Sequence, residues 1–311
     1  MNVIPYKSMK ILITGGAGYK GVKLAAALLK SGHSVTILDS FLYGFDSILG
    51  LLQKPNLEII CQDIRNINQE NVREFDLIYH LAAITGYKIC EINPFVANSI
   101  NLDGTKKLIR VLSSSQVLVY ASTTTLYGSS GKEISEMDKV LPSSVYDKTK
   151  YEAEQLVMQR KTSVALRFAS LFGLRPRMRN DLMVHDFVLR AIKDKVLLVY
   201  DAQDVRTFLH VDDAIDAYLL VTELKKKMLG EVFNVGWESM NYSKKQLAEK
   251  IRKFLGFDIV EILNPGQARR DYRIEYAKIG SLGFKAKVSF DQGIKDLIKY
   301  YSLLNLDSRL A

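Results

Sequence analysis

Apolar residues occur along this chain in short, nearly unbroken runs, separated by longer stretches of helical periodicity. The runs are Lys10-Ile-Leu-Ile-Thr14, Ser34-Val-Thr-Ile-Leu-Asp39, Leu57-Glu-Ile-Ile-Cys61, Phe75 to Ala83, Gln116-Val-Leu-Val-Tyr-Ala121 and Val164-Ala-Leu-Arg-Phe-Ala169. Runs this short and this continuous predict strands covered on both faces. Helical patterns lie between them, over Gly18 to Lys30, Pro94 to Leu112 and onward from Ser144. Such alternation predicts an α/β architecture, a right-handed doubly wound parallel sheet. Ligands in such sheets sit at the carboxyl ends of the strands.

Beyond residue 172 the pattern loosens. A helix is expected at Leu182 to Lys193, a short strand at Val196 to Tyr200, a helix at Val211 to Leu224 and a strand at Val232 to Val235. Further helices are expected around Ser243 to Phe254 and Asp291 to Tyr301. The resulting organisation is a dinucleotide-binding domain over 1–172 with a return at 206–237, and a smaller interwoven substrate lobe over 173–205 and 238–311. No linker, repeat or low-complexity segment separates the two.

The first run ends in Thr14-Gly-Gly-Ala-Gly-Tyr-Lys-Gly21, with glycines at Gly15, Gly18 and Gly21. Residues without a Cβ allow a tight strand-to-helix turn and a close approach of pyrophosphate to the backbone, and the following helix points its free amides at that anion. Asp39 closes the second run 18 residues after Gly21, where a carboxylate takes adenosine ribose hydroxyls and repels a 2′-phosphate. NAD is therefore expected rather than NADP. Tyr19 and Lys20 lie in the turn itself. Asp63 and Ile64 follow the third strand, at a position suited to an adenine edge, and Leu81-Ala82-Ala83 end the fourth, where small residues admit a flat ring.

A Tyr146-Asp-Lys-Thr-Lys150 segment near the start of a helix puts Tyr146 and Lys150 on one face. An ammonium beside a phenol favours the phenolate, so Tyr146 is a candidate general base whose pKa Lys150 is expected to lower. Thr123, at the end of the hydroxyl-rich fifth strand, is placed to donate to the same substrate oxygen.

The 311 residues carry a net charge of +9, with two cysteines, Cys61 and Cys90. Most of the excess charge lies in solvated clusters such as Lys225-Lys-Lys227, without interleaved aromatics, so no nucleic-acid partner is expected. Arg175-Pro-Arg-Met-Arg179 and Arg269-Arg270 differ, because they fall in the substrate half and suit an anionic ligand. No metal-type spacing appears. With no membrane-length apolar run and no signal-peptide core near the start, the chain reads as cytoplasmic.

Together these residues resemble the extended short-chain dehydrogenase/reductases, in particular the NAD-dependent epimerase/dehydratase group that acts on nucleotide sugars. The likeness rests on Thr14 to Gly21, Asp39, Asp63-Ile64, His80 to Ala83, Asn101 with Gly104-Thr105, Thr123 with Tyr127-Gly128, Tyr146 with Lys150, and Arg206 with His210-Val-Asp-Asp213. Phe172 to Phe187 resembles a narrower subgroup that includes the 4-dehydrogenases of GDP-linked heptose. The resemblance implies a Rossmann domain, bound NAD, and proton removal by Tyr146 from a sugar hydroxyl, usually at C4. Thr123 would polarise that oxygen and Lys150 would hold the nicotinamide ribose. Arg206 and Arg270 would pair with the diphosphate, with Tyr87, Thr124 and Arg179 in the sugar site. It also implies a homodimer through a four-helix bundle formed by helices near 94–112 and 144–160.

Two departures stand out. Lys20 replaces the usual apolar residue of the turn, either as a cation beside the pyrophosphate or pointing to solvent. Thr124 and Thr125 stand where water-eliminating members carry Asp-Glu, which argues against 4,6-dehydration. His210 is expected to cap a helix, and His185 either to touch sugar or to be exposed. The rival functions are an NADPH-dependent reductase of a small carbonyl compound and a non-catalytic dinucleotide sensor.

Overall fold

The computed structural model describes residues 8–129, 132–263 and 271–307. Its strands are β1 (Lys10–Thr14), β2 (Ser34–Asp39), β3 (Leu57–Cys61), β4 (Leu77–His80), β5 (Val117–Thr123), β6 (Glu133–Ile134), β7 (Ser163–Phe168), β8 (Ser170–Phe172), β9 (Val196–Tyr200), β10 (Val205–His210), β11 (Val232–Val235), β12 (Asn241–Ser243), β13 (Asp258–Ile262) and β14 (Arg273–Ile274). Its helices are α1 (Gly21–Lys30), α2 (Tyr87–Ile92), α3 (Pro94–Asn98), α4 (Gly104–Val111), α5 (Val145–Met158), α6 (Met183–Asp194), α7 (Val211–Met228), α8 (Lys244–Arg252), α9 (Ala277–Gly280) and α10 (Phe290–Asp307).

Seven strands form the central sheet in the order β11-β7-β5-β4-β1-β2-β3, all neighbours parallel. Its inner apolar runs are buried on both faces, by α1 and α7 on one side and by α4 and α5 on the other, whereas the edge strand β3, expected to be covered as well, is half-buried to exposed along its length. The strand order reverses at β1, so the ligand crevice opens beside its carboxyl end. A second core, with α6, α8 and α10 around β9 and β10, forms the lobe.

Several predicted bounds move for local reasons. Residues 15–20 are used in the turn, so α1 starts at Gly21 rather than Gly18. The helix expected over Pro94 to Leu112 is broken by a π segment at Ser99–Asp103. Asn101, inside it, points its amide back to the backbone of Ile84. β10, expected with the return, pairs with β8 and β12 in the lobe's three-stranded sheet. Conversely, Tyr272, Ile274, Tyr276, Ile279 and Phe284 fill the core of the central sheet, and β14 pairs with β6. Among the described residues, no helix is long and apolar enough to cross a membrane.

Candidate active site

The glycine turn is closed by its own backbone. Gly15 has φ +71°, and a Cβ there would lie 2.6 Å from the Ala82 nitrogen; one on Gly21 would lie 2.6 Å from the Gly15 oxygen. β1 and β4 therefore approach as closely as backbones allow, and Leu81 N donates to Thr14 O at 2.9 Å. α1 has no side-chain cap at its N-terminus; Val22 N and Leu24 N donate to Gly18 O and Lys20 O, and no side chain competes with a ligand for the remaining amides of the turn. Asp39 holds the far side of the turn, one carboxylate oxygen accepting from Ala17 N at 3.0 Å and the other from Phe41 N at 2.9 Å. This cradle fits a dinucleotide, for which the α1 amides would meet the pyrophosphate and Asp39 the ribose. Ile64 is buried and packs against Gly104, whereas the Asp63 carboxylate is bound by Arg65, at 2.7 Å to one guanidinium nitrogen.

The reacting groups meet where β5 ends and α5 begins. Ser144 caps α5 in a reciprocal capping box with Asp147, fixing the first turn that carries Tyr146. Asp147 also accepts from Thr125 Oγ1 at 2.6 Å, tying α5 to the end of β5. Tyr146 is half-buried and hydrogen-bonded to Thr123. Burial pushes the Tyr146 phenol well above its ordinary value; the Asp147 charge adds to this, while Arg179 and the Thr123 hydrogen bond oppose it. This corrects the expected lowering by Lys150. Lys150 is buried, its ammonium 4.0 Å from the Tyr120 ring centre. Burial, followed by the charge of Lys20, lowers Lys150 to about 7, with Glu154 opposing.

Beneath the site runs a buried network that sequence reasoning missed. Glu154 pairs with Arg167 at 2.6 Å and accepts from Ser122 Oγ at 2.5 Å. Arg167 donates to the Tyr127 hydroxyl at 2.7 Å, which donates to Asn234 at 2.7 Å. It joins β5, α5, β7 and β11. The only sequence signals were isolated polar residues at core positions. His80 bonds Thr14 at 2.7 Å and Thr105 at 2.9 Å, and Asn101 reaches Thr149 at 3.2 Å.

The expected substrate residues fare unevenly. Arg179 pairs with Asp181 and reaches Thr85 Oγ1 at 2.6 Å, close enough to Tyr146 for its charge to act there. Tyr87 opens α2 and is about half exposed. Arg206 donates to Val205 O and lies 3.7 Å from Asp204. Arg270 lies outside the described residues. Thr124 is turned away from the cleft: fully buried, its hydroxyl donates to Phe168 O at 3.2 Å. Tyr19 likewise spends its side chain on the scaffold, its hydroxyl donating to Gly173 O at 2.6 Å. His185 is neither exposed nor open to a sugar, because Gly173 N donates to its Nε2 at 3.0 Å and the ring is fully buried. His210 caps α7, accepting from Asp212 N. Cys90 is buried and free. Lys20 does not point to solvent; its ammonium lies 4.3 Å from the centre of the Phe168 ring.

The sequence and the fold both have known relatives. Agl12, a low-salt glycan biosynthesis protein of Haloferax volcanii, is 31% identical over 314 residues, covering 94% of this chain and 98% of its own. The UDP-N-acetyl-alpha-D-glucosaminuronate decarboxylase of Bacillus cytotoxicus is 28% identical over 325 residues, covering 96% and 99%. The structure of UDP-glucuronic acid 4-epimerase from Bacillus cereus, in complex with UDP-glucuronic acid and NAD, matches with a TM-score of 0.83 at 26% identity, over 95% of this chain and 100% of that one. The model of the NAD dependent epimerase/dehydratase family matches residues 11–236, and the chain belongs to that family.

Proposed function

We propose that this protein oxidises a nucleoside-diphosphate sugar at C4, either keeping the 4-keto product or returning hydrogen as an epimerase. The observation that carries this reading is the hydrogen bond between Tyr146 and Thr123 at the end of β5, with Lys150 buried one turn further along α5 and within the field of Lys20 from the dinucleotide turn. NAD, when bound, accepts the hydride from C4. Tyr146, in the ionised form that Arg179 and the Thr123 hydrogen bond favour, takes the hydroxyl proton as the C4–O bond becomes a carbonyl, and the Thr123 hydroxyl turns from Tyr146 to donate to that oxygen. Lys150 supplies positive charge on the ribose side. Arg206, with Arg270 and the Arg175 to Arg179 segment, provides guanidinium groups of the kind that bind diphosphate bidentately. Asp39 disfavours NADP and with it the NADPH reductase, and a non-catalytic sensor has no need of the Thr-Tyr-Lys set.

Apolar side chains on α2 and α3, among them Ile92 and Phe95, stand about four-fifths exposed next to α5. That face supports a second copy of the chain as partner. The two cysteines, both free, suit a reducing cytoplasm.

The test is a panel of UDP-, GDP-, CDP- and dTDP-sugars, followed at 340 nm and by product NMR, with GDP-heptoses included because of the Phe172 to Phe187 likeness. Sugar isomerisation without net absorbance change marks an epimerase, and accumulating reduced cofactor with a keto sugar marks a dehydrogenase. No response across the panel contradicts the reading.

A further inference from the structure

Lys20 has no task in the scheme above. Its side chain leaves the start of α1 and lies over aromatic faces, 4.3 Å from the Phe168 ring centre and 5.5 Å from that of Tyr218. Phe168 ends β7 in register with Thr123. The ammonium thus stands at the chemical end of the cleft, beside the strand end that is in register with Thr123. Lys150 and Tyr146 face this region from α5, Arg179 from the connection before α6, and Tyr218 from α7; the charges of Arg179 and Lys150 act on or feel that of Lys20. Among the described residues no carboxylate pairs with it. A buried ammonium without an anionic partner keeps a desolvation cost that ring faces offset only in part, and a bound anionic ligand would offset more of it.

We propose that Lys20 sets the charge balance at the nicotinamide end of the NAD site, so that the protein holds the reduced, neutral ring more firmly than the oxidised, cationic ring. The physical basis is the change in ligand charge. The pyrophosphate is common to both forms, and the ring loses one positive charge on reduction, so a nearby cation acts on the difference between them. Burial, followed by the charge of Arg179, lowers Lys20 to about 7. A site biased in this way makes bound NAD a stronger oxidant and favours the 4-keto outcome. The inference rests on the assignment of the cleft to NAD.

The test equilibrates folded protein with a defined mixture of NAD and NADH, removes free nucleotide by gel filtration, and measures the bound ratio by extraction and absorbance at 260 and 340 nm. Wild-type protein should be enriched in the reduced form relative to the mixture. Lys20→Met should lower the bound NADH-to-NAD ratio by about ten-fold, the scale of one unit charge at intermediate distance. Lys20→Arg should preserve the enrichment. Should Lys20→Met not fold, Lys20→Gln carries the same comparison. An unchanged ratio with lower total occupancy would assign Lys20 to the pyrophosphate and overturn the proposal. Folded wild-type protein that binds neither form would overturn the NAD assignment itself, and the proposal with it.

Discussion

Tyr146 starts as a poor base, because burial favours its neutral phenol and only Arg179 and the Thr123 hydrogen bond draw it down. Replacing Tyr146 with Phe should reduce turnover by about 10²–10⁴-fold, the usual span of general-base catalysis, while the NAD content of the purified protein is unchanged. Loss of NAD together with turnover would mean that Tyr146 is structural. Thr123→Val removes the hydrogen bond that stabilises the phenolate, so the rising limb of the pH–rate profile should move to higher pH. A profile that keeps its midpoint would contradict that role. These residues were legible in the sequence because four-residue helical spacing and a strand end are local features. Thr124, Tyr19 and His185 were not, because partners far along the chain decide where they point: Tyr19 bonds Gly173, 154 residues away.

At the scale of elements, the strands Val196–Tyr200 and Val232–Val235 fall where the apolar runs predicted them. The π segment of 99–103 did not show, since its cause is the reach of Asn101 to the backbone of Ile84. The position of β10 was also hidden, because a buried run is equally at home in either sheet. The Glu154–Arg167 pair joins α5 to β7 in a site closed to solvent. Glu154→Ala leaves the guanidinium buried without its partner and should cost about 3–5 kcal/mol in urea unfolding. A double variant, Glu154→Leu with Arg167→Met, should recover a large part of that loss. If the single variant is as stable as wild type, the pair is not what holds α5 against the sheet.

For the whole molecule, acid sensitivity follows from the buried histidines: burial holds all four below their ordinary value, and three of them carry the large shifts. Burial holds His80 and His185 down to about 3 and His210 to about 4, so all three are neutral in the folded protein. On unfolding they return to ordinary values near 6.5 and take up protons below that pH. Their contribution is complete above pH 6.5 and is lost as pH falls. Between pH 7.5 and 5.5 each withdraws about 1.4 kcal/mol, for a total of about 4 kcal/mol. Equal urea stability at the two pH values would refute this. In solution, Phe95→Asp should convert a dimer to a monomer in sedimentation without loss of NAD, and an unchanged sedimentation coefficient would place the interface elsewhere.

Isotope transfer tests the central claim most directly. A nucleotide sugar that responds in the panel is prepared with deuterium at C4, incubated with the protein, and the cofactor is extracted for mass spectrometry. Oxidation at C4 predicts a slowed rate for the labelled sugar in either case, with deuterium on the nicotinamide where the 4-keto sugar is kept and deuterium at C4 of both epimers where the hydrogen is returned. Turnover of the labelled sugar at an unchanged rate, or with its deuterium released to water, would contradict the account.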